Sequence, residues 1–375
     1  GTDGTITGIN TINGLTYPSA GPLSNRNLVI NGAMVVAQRA TSTSSITGTT
    51  EYRTLDRFKT ELASYSTVAG TVSQSTEAPT GFSKSIRFNV TTAESIAAAD
   101  LATIRYRFEA QDIQNLEYGT SDAKTTTLSF WVRSSITGTY GISLYQADAV
   151  RNLGLTYSVN TANTWEYKTL TIPGDTSGTI NDDNGEGLQI SWTLSAGSNF
   201  QGTSNTSWGA YSAERWATGH AVDLMGTTSN FYLTGVQFEV GERVTPFEHR
   251  SYGDELARCQ RYCYAAIADG SIDNYAPLAN GRYYNTSDAQ FNIFFPVTMR
   301  NAPTLDSSTT AAGTFFYNTD GDLGGVEATT VALNERSYNS ATVYAQGASG
   351  QTAGNGTTLY SHDAEVAKLI FTAEL

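Results

Sequence analysis

The stretch at residues 230–252 reads NFYLTGVQFEVGERVTPFEHRSY and predicts one long buried strand with an extended exit. Side chains alternate across a strand, so Phe231 and Leu233 share one of its faces. Gly235 then permits a bulge, after which Phe238 continues the apolar face in a shifted register. We interpret this segment as the closing strand of one domain, because the pattern of the chain changes directly after it.

A helical pattern follows the closing strand, and we expect a linker helix at 253–268. Cys259 and Cys263 lie four residues apart there and share an apolar stripe with Leu256. A zinc site would need two more ligands at suitable spacing, and adjacent helical turns hold two thiols poorly for a disulfide. We therefore expect two buried thiols, no metal site and no cofactor.

The composition is that of an all-β protein that binds neither nucleic acid nor membranes. Charged residues make up 15% of the 375 residues, against about 25% in an average soluble protein, and Gly, Thr, Ser, Asn and Tyr are abundant. A net charge of −13 and no run of Lys or Arg argue against phosphate or anionic-lipid contacts. No apolar run approaches the roughly 18 residues that a membrane span needs, so we expect no membrane insertion.

The region 25–252 contains a series of segments with one apolar face each, at the spacing of a β-sandwich. The clearest is LQISWTL at 188–194, where the apolar side chains alternate with polar ones. Seven or eight such strands predict two stacked sheets. Long loops are expected to interrupt the series at 146–160, 173–187 and 195–229.

The two ends of the chain are expected to form separate regions. At 269–375 a second, smaller β domain is predicted, because residues such as Phe291 and Ile293 alternate with polar ones between Gly-rich turns. At 1–24 large apolar groups are too few for a core. An isoleucine or a leucine nevertheless recurs there at every third position. This spacing fits either a loose arm or a stem in which identical chains pack around a three-fold axis.

The segment 204–223 is the best candidate for a ligand site. Its aromatic residues follow neither a strand nor a helix period, and sugars bind to aromatic faces flanked by polar groups. The predicted glycan-binding residues are Trp208, Tyr211, Trp216 and His220. In the alternative interpretation, these rings cover the end of the sandwich or pack on a neighbouring subunit.

No set of residues predicts catalysis. The chain has three histidines, no nucleophile elbow and no phosphate-binding glycine loop. Acidic residues crowd together in NDDNGEG at 181–187, which fits a calcium loop, an ordinary hairpin turn or, less well, the paired carboxylates of a glycosidase. We therefore expect a protein that is not an enzyme.

Seven segments of the chain together indicate a family: NLVINGAMVVAQR at 27–39, LDRF at 55–58, LSFWVRS at 128–134, IPGDTSGT at 172–179, NDDNGEGLQISWTL at 181–194, FYLTGVQFEVGERVTPFEHRSYGDELARCQRYCY at 231–264 and the closing FTAEL at 371–375. They resemble a family of bacteriophage virion proteins, in which a fibre subunit carries a jelly-roll domain similar to carbohydrate-binding modules. One departure is Phe58, where the family has Trp after Asp-Arg.

This resemblance implies a jelly-roll β-sandwich at 25–252 and a trimeric appendage on the surface of a virion that is assembled in the host cytoplasm. A tail-fibre subunit that contacts a host surface glycan or another receptor is the first expectation. Attachment to phage tail or capsid proteins would use the arm at 1–24. A head fibre or capsid decoration protein is the alternative within the family, and a polysaccharide depolymerase is the alternative from another class.

Overall fold

A computed structural model describes residues 11–12, 15–16, 24–46, 50–202, 207–269, 271–272, 275–306, 314–319, 322–361 and 366–375. The chain divides into two compact units. The first unit contains Gly1–Glu255 together with Leu375, and the second contains Leu256–Glu374. Most of the predicted arm at 1–24 lies outside the described residues.

Antiparallel strands are the main regular structure of the first unit. Its strands are β1 (Thr11–Ile12), β2 (Leu15–Thr16), β3 (Ser42–Ile46), β4 (Thr50–Glu51), β5 (Phe58–Ala63), β6 (Ala69–Ser75), β7 (Ser85–Thr92), β8 (Leu101–Glu109), β9 (Thr126–Ser134), β10 (Gly138–Gln146), β11 (Arg151–Val159), β12 (Glu166–Ile172), β13 (Glu186–Ala196), β14 (Gly209–Ala210) and β15 (Asn230–Val240). Short 3₁₀ turns lie at Ala110–Leu116, Ser198–Phe200 and Ala213–Arg215.

Two sheets of these strands form a β-sandwich. In the described residues, the front sheet has the order β14-β11-β10-β13-β8-β5-β4 and the back sheet the order β12-β9-β15-β7-β6-β3, and β1 pairs only with β2. The chain changes sheets repeatedly, for example from β8 in the front sheet to β9 in the back sheet. The predicted all-β sandwich is therefore confirmed, while the expected trimer stays a prediction.

Large aromatic side chains fill the space between the two sheets. Trp192 of β13 is fully buried, and its ring lies 5.9 Å from Phe130 of β9, edge to face. Phe130 in turn lies 5.1 Å from Tyr157 of β11. Apolar residues from both sheets pack in the same cluster. The apolar positions of the alternating pattern in LQISWTL are thus the residues that this strand buries between the sheets.

The closing strand contains the predicted bulge. β15 pairs with β9, and the register shifts between Thr234 and Gln237. Gly235 lies within this shift and has a φ of +61°, a left-handed conformation in which side chains are strained. The bulge lets β15 keep its apolar side toward the core on both sides of the shift.

The linker region differs from the expected helix at 253–268. Helix α1 comprises Tyr252–Gln260, and strand β16 (Cys263–Asp269) follows almost directly. Cys263 therefore lies on a strand, and it is buried like Cys259. The helical prediction was too long because alternation in CYAAIAD, which pairs with the last strand of the chain, outweighs the helix propensity of its alanines.

The second unit is a smaller β structure. Its further strands are β17 (Pro277–Tyr283), β18 (Asp288–Phe294), β19 (Thr304–Leu305), β20 (Phe315–Thr319), β21 (Asp322–Glu327), β22 (Thr330–Arg336), β23 (Ser340–Gln346), β24 (Gly356–Ser361) and β25 (Val366–Thr372). Among its described residues, a wide sheet has the order β21-β20-β24-β17-β18-β23-β22 and a narrow sheet the order β16-β25-β19. The β structure predicted for this part of the chain is thereby confirmed, while the domain boundary at 269 stays a prediction. No helix in the described part of the chain has the length and apolar character to cross a bilayer.

We expect Gly235→Ala to destabilise the first unit by about 1–3 kcal/mol, because the new methyl group would sit in a left-handed conformation. The methyl would also lie 2.7 Å from the Phe82 ring. The measurement is the free energy of urea unfolding. The matched control is Gly253→Ala in α1, where a methyl group meets no atom within 4 Å; it is expected to be neutral or stabilising by up to about 1 kcal/mol. Equal effects of the two variants would contradict the bulge argument.

Candidate functional site

A segment between β13 and β15 lies against the outer face of the front sheet. Thr193 Oγ1 donates a hydrogen bond to the carbonyl oxygen of Trp216 at 3.1 Å. The segment lies very close to the strands beneath it. A Cβ atom at Gly154 would lie 2.8 Å from the Arg215 carbonyl oxygen, and one at Gly141 would lie 3.2 Å from the Cα atom of Ala217. Two strand glycines thus make room for this segment, which fixes the aromatic residues that it carries.

Trp216 forms the base of an aromatic cluster on this face. The side chain is only 8% exposed, and the Arg105 guanidinium carbon lies 4.8 Å from the centre of its ring, which is a cation–π contact. Trp216 Nε1 donates to the Tyr211 hydroxyl at 3.1 Å. The ring of Tyr145 from β10 lies 5.8 Å away. Trp216 therefore supports the cluster from below and presents little of its own surface.

Tyr211 provides the exposed surface of the cluster. It is 45% exposed, and its ring stands edge-on to Tyr145 at 5.8 Å. We call Tyr145, Tyr211 and Trp216 the ring cluster. Sequence reasoning identified Tyr211 and Trp216 but missed Tyr145. The available signal was its position in β10, where it alternates with the buried Leu144 and so points outward.

Charged side chains occupy the same face of the front sheet, beside the ring cluster. Arg105 of β8 forms an ion pair with Glu61 of β5. Two residues further along β8, Arg107 Nε lies 3.1 Å from Glu186 Oε2 and donates to Gln189 Oε1 at 2.9 Å. Both arginines point outward, because they alternate with core residues of β8. We call Glu61, Arg105, Arg107 and Glu186 the charged network.

Partial burial shifts the pKa values in and around this network. Burial raises the pKa of Glu186, although Arg107 opposes the shift. Burial also lowers the pKa of the neighbouring Lys59, and the positive charges of Arg107 and Arg105 lower it further. The pKa of Tyr145 is raised by burial and by the charge of Glu186, which links the ring cluster to the network electrostatically.

Arg107 Nη1 additionally donates to the main-chain oxygen of Leu375 at 2.7 Å.

Trp208 belongs to a different part of the first unit. Its indole Nε1 donates to the carbonyl oxygen of Pro173 at 2.7 Å, and its half-buried ring stands edge-on to Tyr118 at 5.9 Å. In the part of the chain that the structure describes, neither of these contacts involves the ring cluster. The structure therefore does not join Trp208 and Trp216 in one aromatic platform.

His220 is part of the segment between β13 and β15, and its buried side chain points toward the sheet. It is 5% exposed, and its Nδ1 accepts a hydrogen bond from the main-chain N–H of Gly141 at 3.0 Å. Its ring stands edge-on to Tyr140 at 5.8 Å. Burial lowers the pKa of His220 to about 4, so the ring is neutral at pH 7. This histidine positions the segment on the sheet, and its contacts are with the protein.

The acidic loop at 181–187 is held by its own hydrogen bonds. Asn181 donates from its main chain and its side chain to the two carboxylate oxygens of Asp148, at 3.0 and 2.9 Å. Asp183 Oδ1 accepts from the main-chain N–H of Gly185 at 2.7 Å. In the ranges that the structure describes, no three His, Cys, Asp or Glu side chains are grouped so that they could hold a metal ion. These contacts are those of an ordinary turn.

Comparison with known proteins finds no family model and no curated protein that matches the chain. A crystal structure of the enzymatically active domain of tailspike protein 4 from bacteriophage CBA120 is similar at 13% identity and a TM-score of 0.31, over 57% of this chain and 21% of that one. A family 11 carbohydrate-binding module of a Clostridium thermocellum cellulase is similar at 10% identity and a TM-score of 0.27, over 55% and 100%.

The CBM22-1 xylan-binding domain of Paenibacillus barcinonensis Xyn10C is similar at 9% identity and a TM-score of 0.25, over 58% of this chain and 96% of that one. This chain spans only about a fifth of the tailspike structure. Similarity at TM-scores this low says nothing about the function of this chain.

The buried His220 should make the stability of the first unit depend on pH. Its pKa is about 4 in the folded protein and 6.5 in the unfolded chain, so between these values only the unfolded chain takes up the proton. The contribution of the neutral His220 to the free energy of unfolding is therefore complete above pH 6.5. It decreases as the pH falls toward 4, by on the order of 3 kcal/mol in total.

The test is the urea-unfolding free energy of the wild type and of His220→Asn between pH 7 and pH 4.5. The asparagine can still accept the Gly141 hydrogen bond but cannot titrate. The advantage of the wild type over the variant is expected to shrink as the pH falls. Two curves that stay parallel across this range would contradict the buried, neutral histidine.

Proposed function

We propose that this chain is a non-enzymatic glycan-binding subunit of a bacteriophage appendage, most simply a tail fibre that contacts the host cell surface. The observation that carries the binding function is the ring cluster beside the charged network on one face of the front sheet. An exposed tyrosine ring and fixed polar groups lie there on a rigid scaffold.

The chemistry of this face suits a sugar. The C–H groups of a pyranose ring pack on an aromatic side chain, for which the exposed Tyr211 is placed. Hydroxyl groups of the same sugar can accept from Arg107 and donate to Glu186, which lie 3.1 Å apart. Because these ions are already paired, neither is left as an uncompensated charge when a neutral ligand covers them. The cation–π contact of Arg105 with Trp216 holds the supporting ring in place before a ligand arrives.

The appendage role is supported by the sequence resemblance and by the composition. The matching segments are distributed in the family's order between 27 and 264, and a net charge of −13 keeps a crowded particle surface soluble. Weak contacts with a glycan suffice in such a structure, because several copies of the chain engage one surface and gain avidity. The proposal therefore includes self-association as a trimer, location on the virion and attachment to other phage proteins.

One observation favours a second candidate, a polysaccharide depolymerase. Burial raises the pKa of Glu186, which is the change that a general acid requires. A second carboxylate, that of Glu61, belongs to the same charged network. Both groups are paired with arginines, which is the reason for placing binding first.

We expect Tyr211→Ala to lower the affinity for a bacterial surface polysaccharide about tenfold, equivalent to about 1.4 kcal/mol, because the exposed ring is lost. The measurement is binding of the full chain to a printed array of capsular and O-chain polysaccharides. The matched control is Tyr167→Ala on β12, since Tyr167 is 41% exposed and also packs on a tryptophan, but lies in the back sheet.

We call the ring cluster and the charged network together the front-sheet site. An equal loss of affinity in Tyr211→Ala and Tyr167→Ala, or no loss in either, would contradict binding at this site. The same polysaccharides are then assayed for new reducing ends after incubation with the wild type. None are expected. If reducing ends appear and Glu186→Gln abolishes them, the depolymerase is established and the non-enzymatic proposal is wrong.

A further inference from the structure

The second unit contains a polar groove on the outer face of its wide sheet. The groove has a volume of about 770 Å³, within the range of ligand pockets, and side chains from β17, β18, β23 and β22 line it. These strands are neighbours in the sheet, so the groove extends over about 14 Å across them. It is separate from the ring cluster and the charged network, which belong to the first unit.

The groove lies on a face of the wide sheet, and in the described residues only β22 of its lining strands is at an edge of that sheet. β17 lies between β24 and β18, and β23 lies between β18 and β22. The three inner strands β17, β18 and β23 are therefore paired on both sides, and only β22 has an unpaired side, which faces away from the groove's centre. A peptide that adds a strand to a sheet needs an unpaired edge, so this face does not suit that mode of recognition.

Side chains that point outward form two rows across the strands. In one row, Asn292 of β18 is opposite Thr342 of β23, and Thr342 Oγ1 donates to Asn292 Oδ1 at 3.1 Å. Asn280 of β17 accepts a corresponding bond from Thr358 Oγ1 at 3.0 Å. Each threonine fixes an amide, and among the described residues the Nδ2 group of each amide has no other side-chain partner. These groups are available as donors to a ligand.

The second row adds a cation. Arg282 of β17 is opposite Gln290 of β18, and both side chains face the groove. Arg282 is exposed, and no carboxylate of the described residues forms an ion pair with it. Glu335 of β22 lines the opposite side of the groove. The lining thus carries one positive and one negative charge, which suits an uncharged ligand and not a polyanion such as nucleic acid.

Exposed aromatic rings lie on the same strands beyond the polar rows. Tyr284, directly after β17, is 61% exposed, and Phe294, at the end of β18, is 76% exposed. Phe294 continues the outward alternation of Gln290 and Asn292. Tyr284 itself lines the groove, and Phe294 lies next to the groove on β18. Because β17 and β18 are antiparallel, the two rings flank the polar rows from opposite directions along the strands. Amide and guanidinium donors between two aromatic rings match the hydroxyl groups and C–H faces of a sugar chain.

We propose that this groove is a second saccharide site and that it takes a short chain of neutral sugars. The amides, Arg282 and Glu335 hydrogen-bond the hydroxyl groups, and the rings of Tyr284 and Phe294 pack on the terminal residues. The site is independent of the front-sheet site. A single chain would then hold two saccharide sites, one in each unit.

The test uses the full chain with Tyr211→Ala, so that the front-sheet site is weakened, on a printed array of neutral oligosaccharides with heparin and single-stranded DNA alongside. We expect retained binding to one or more neutral oligosaccharides, lowered about tenfold by adding Arg282→Ala. The matched control is Arg336→Ala, another exposed arginine of the wide sheet that does not line the groove. An unchanged thermal midpoint shows that the variants fold.

Each outcome decides the proposal. It is overturned if the Tyr211→Ala chain retains no neutral oligosaccharide, if Arg336→Ala weakens binding as much as Arg282→Ala, or if only heparin or DNA is bound. Failure of the front-sheet site gives a different result. In that case Tyr211→Ala alone changes nothing, whereas Arg282→Ala removes binding.

Discussion

The contact between Trp192 and Phe130 across the two sheets of the first unit is the constraint on which the remaining features depend. These rings meet at 5.9 Å in the middle of a buried apolar cluster. Since the inward side chains of β13 and β9 are committed to this contact, the alternate positions must point outward. Arg105, Arg107 and Tyr145 owe their position on the outer face of the front sheet to the same alternation on neighbouring strands. Burying one face of the front sheet therefore places the candidate site on the other.

Much of the fold could be predicted from alternation alone, and the exceptions have physical reasons. The strands around Trp192 and Phe238 have large apolar residues on one face and were correctly predicted. β11 was predicted as part of a loop at 146–160 and is a strand. Its sequence, RNLGLTYSV, alternates, but Gly154 interrupts the pattern and normally weakens a strand. In the structure this glycine is needed for the close approach of the segment above it, which no local pattern indicates.

The candidate site was only partly predictable, because its members come together through long-range contacts. Tyr211 and Trp216 lie in one segment and were identified from the sequence, whereas Tyr145 and Arg105 come from β10 and β8. Trp208 and His220 are close to them in sequence but are held by other contacts, with Pro173 and Gly141. The groove of the second unit gave no sequence signal, since Asn, Thr and Gln at alternate positions read as an ordinary solvated strand face.

The two glycines under the 212–220 segment have a consequence for how such a protein can diversify. Gly141 and Gly154 let a loop lie flat on the sheet, and any side chain there would lift the loop from its support. The rings and charges above them, by contrast, project from a scaffold that does not depend on their identity. Recognition can thus be altered by exchanging residues of the loop, provided that the two bare positions beneath it are kept. A floor that must stay bare beneath a surface that can vary would let such a loop change what it binds without a change of fold.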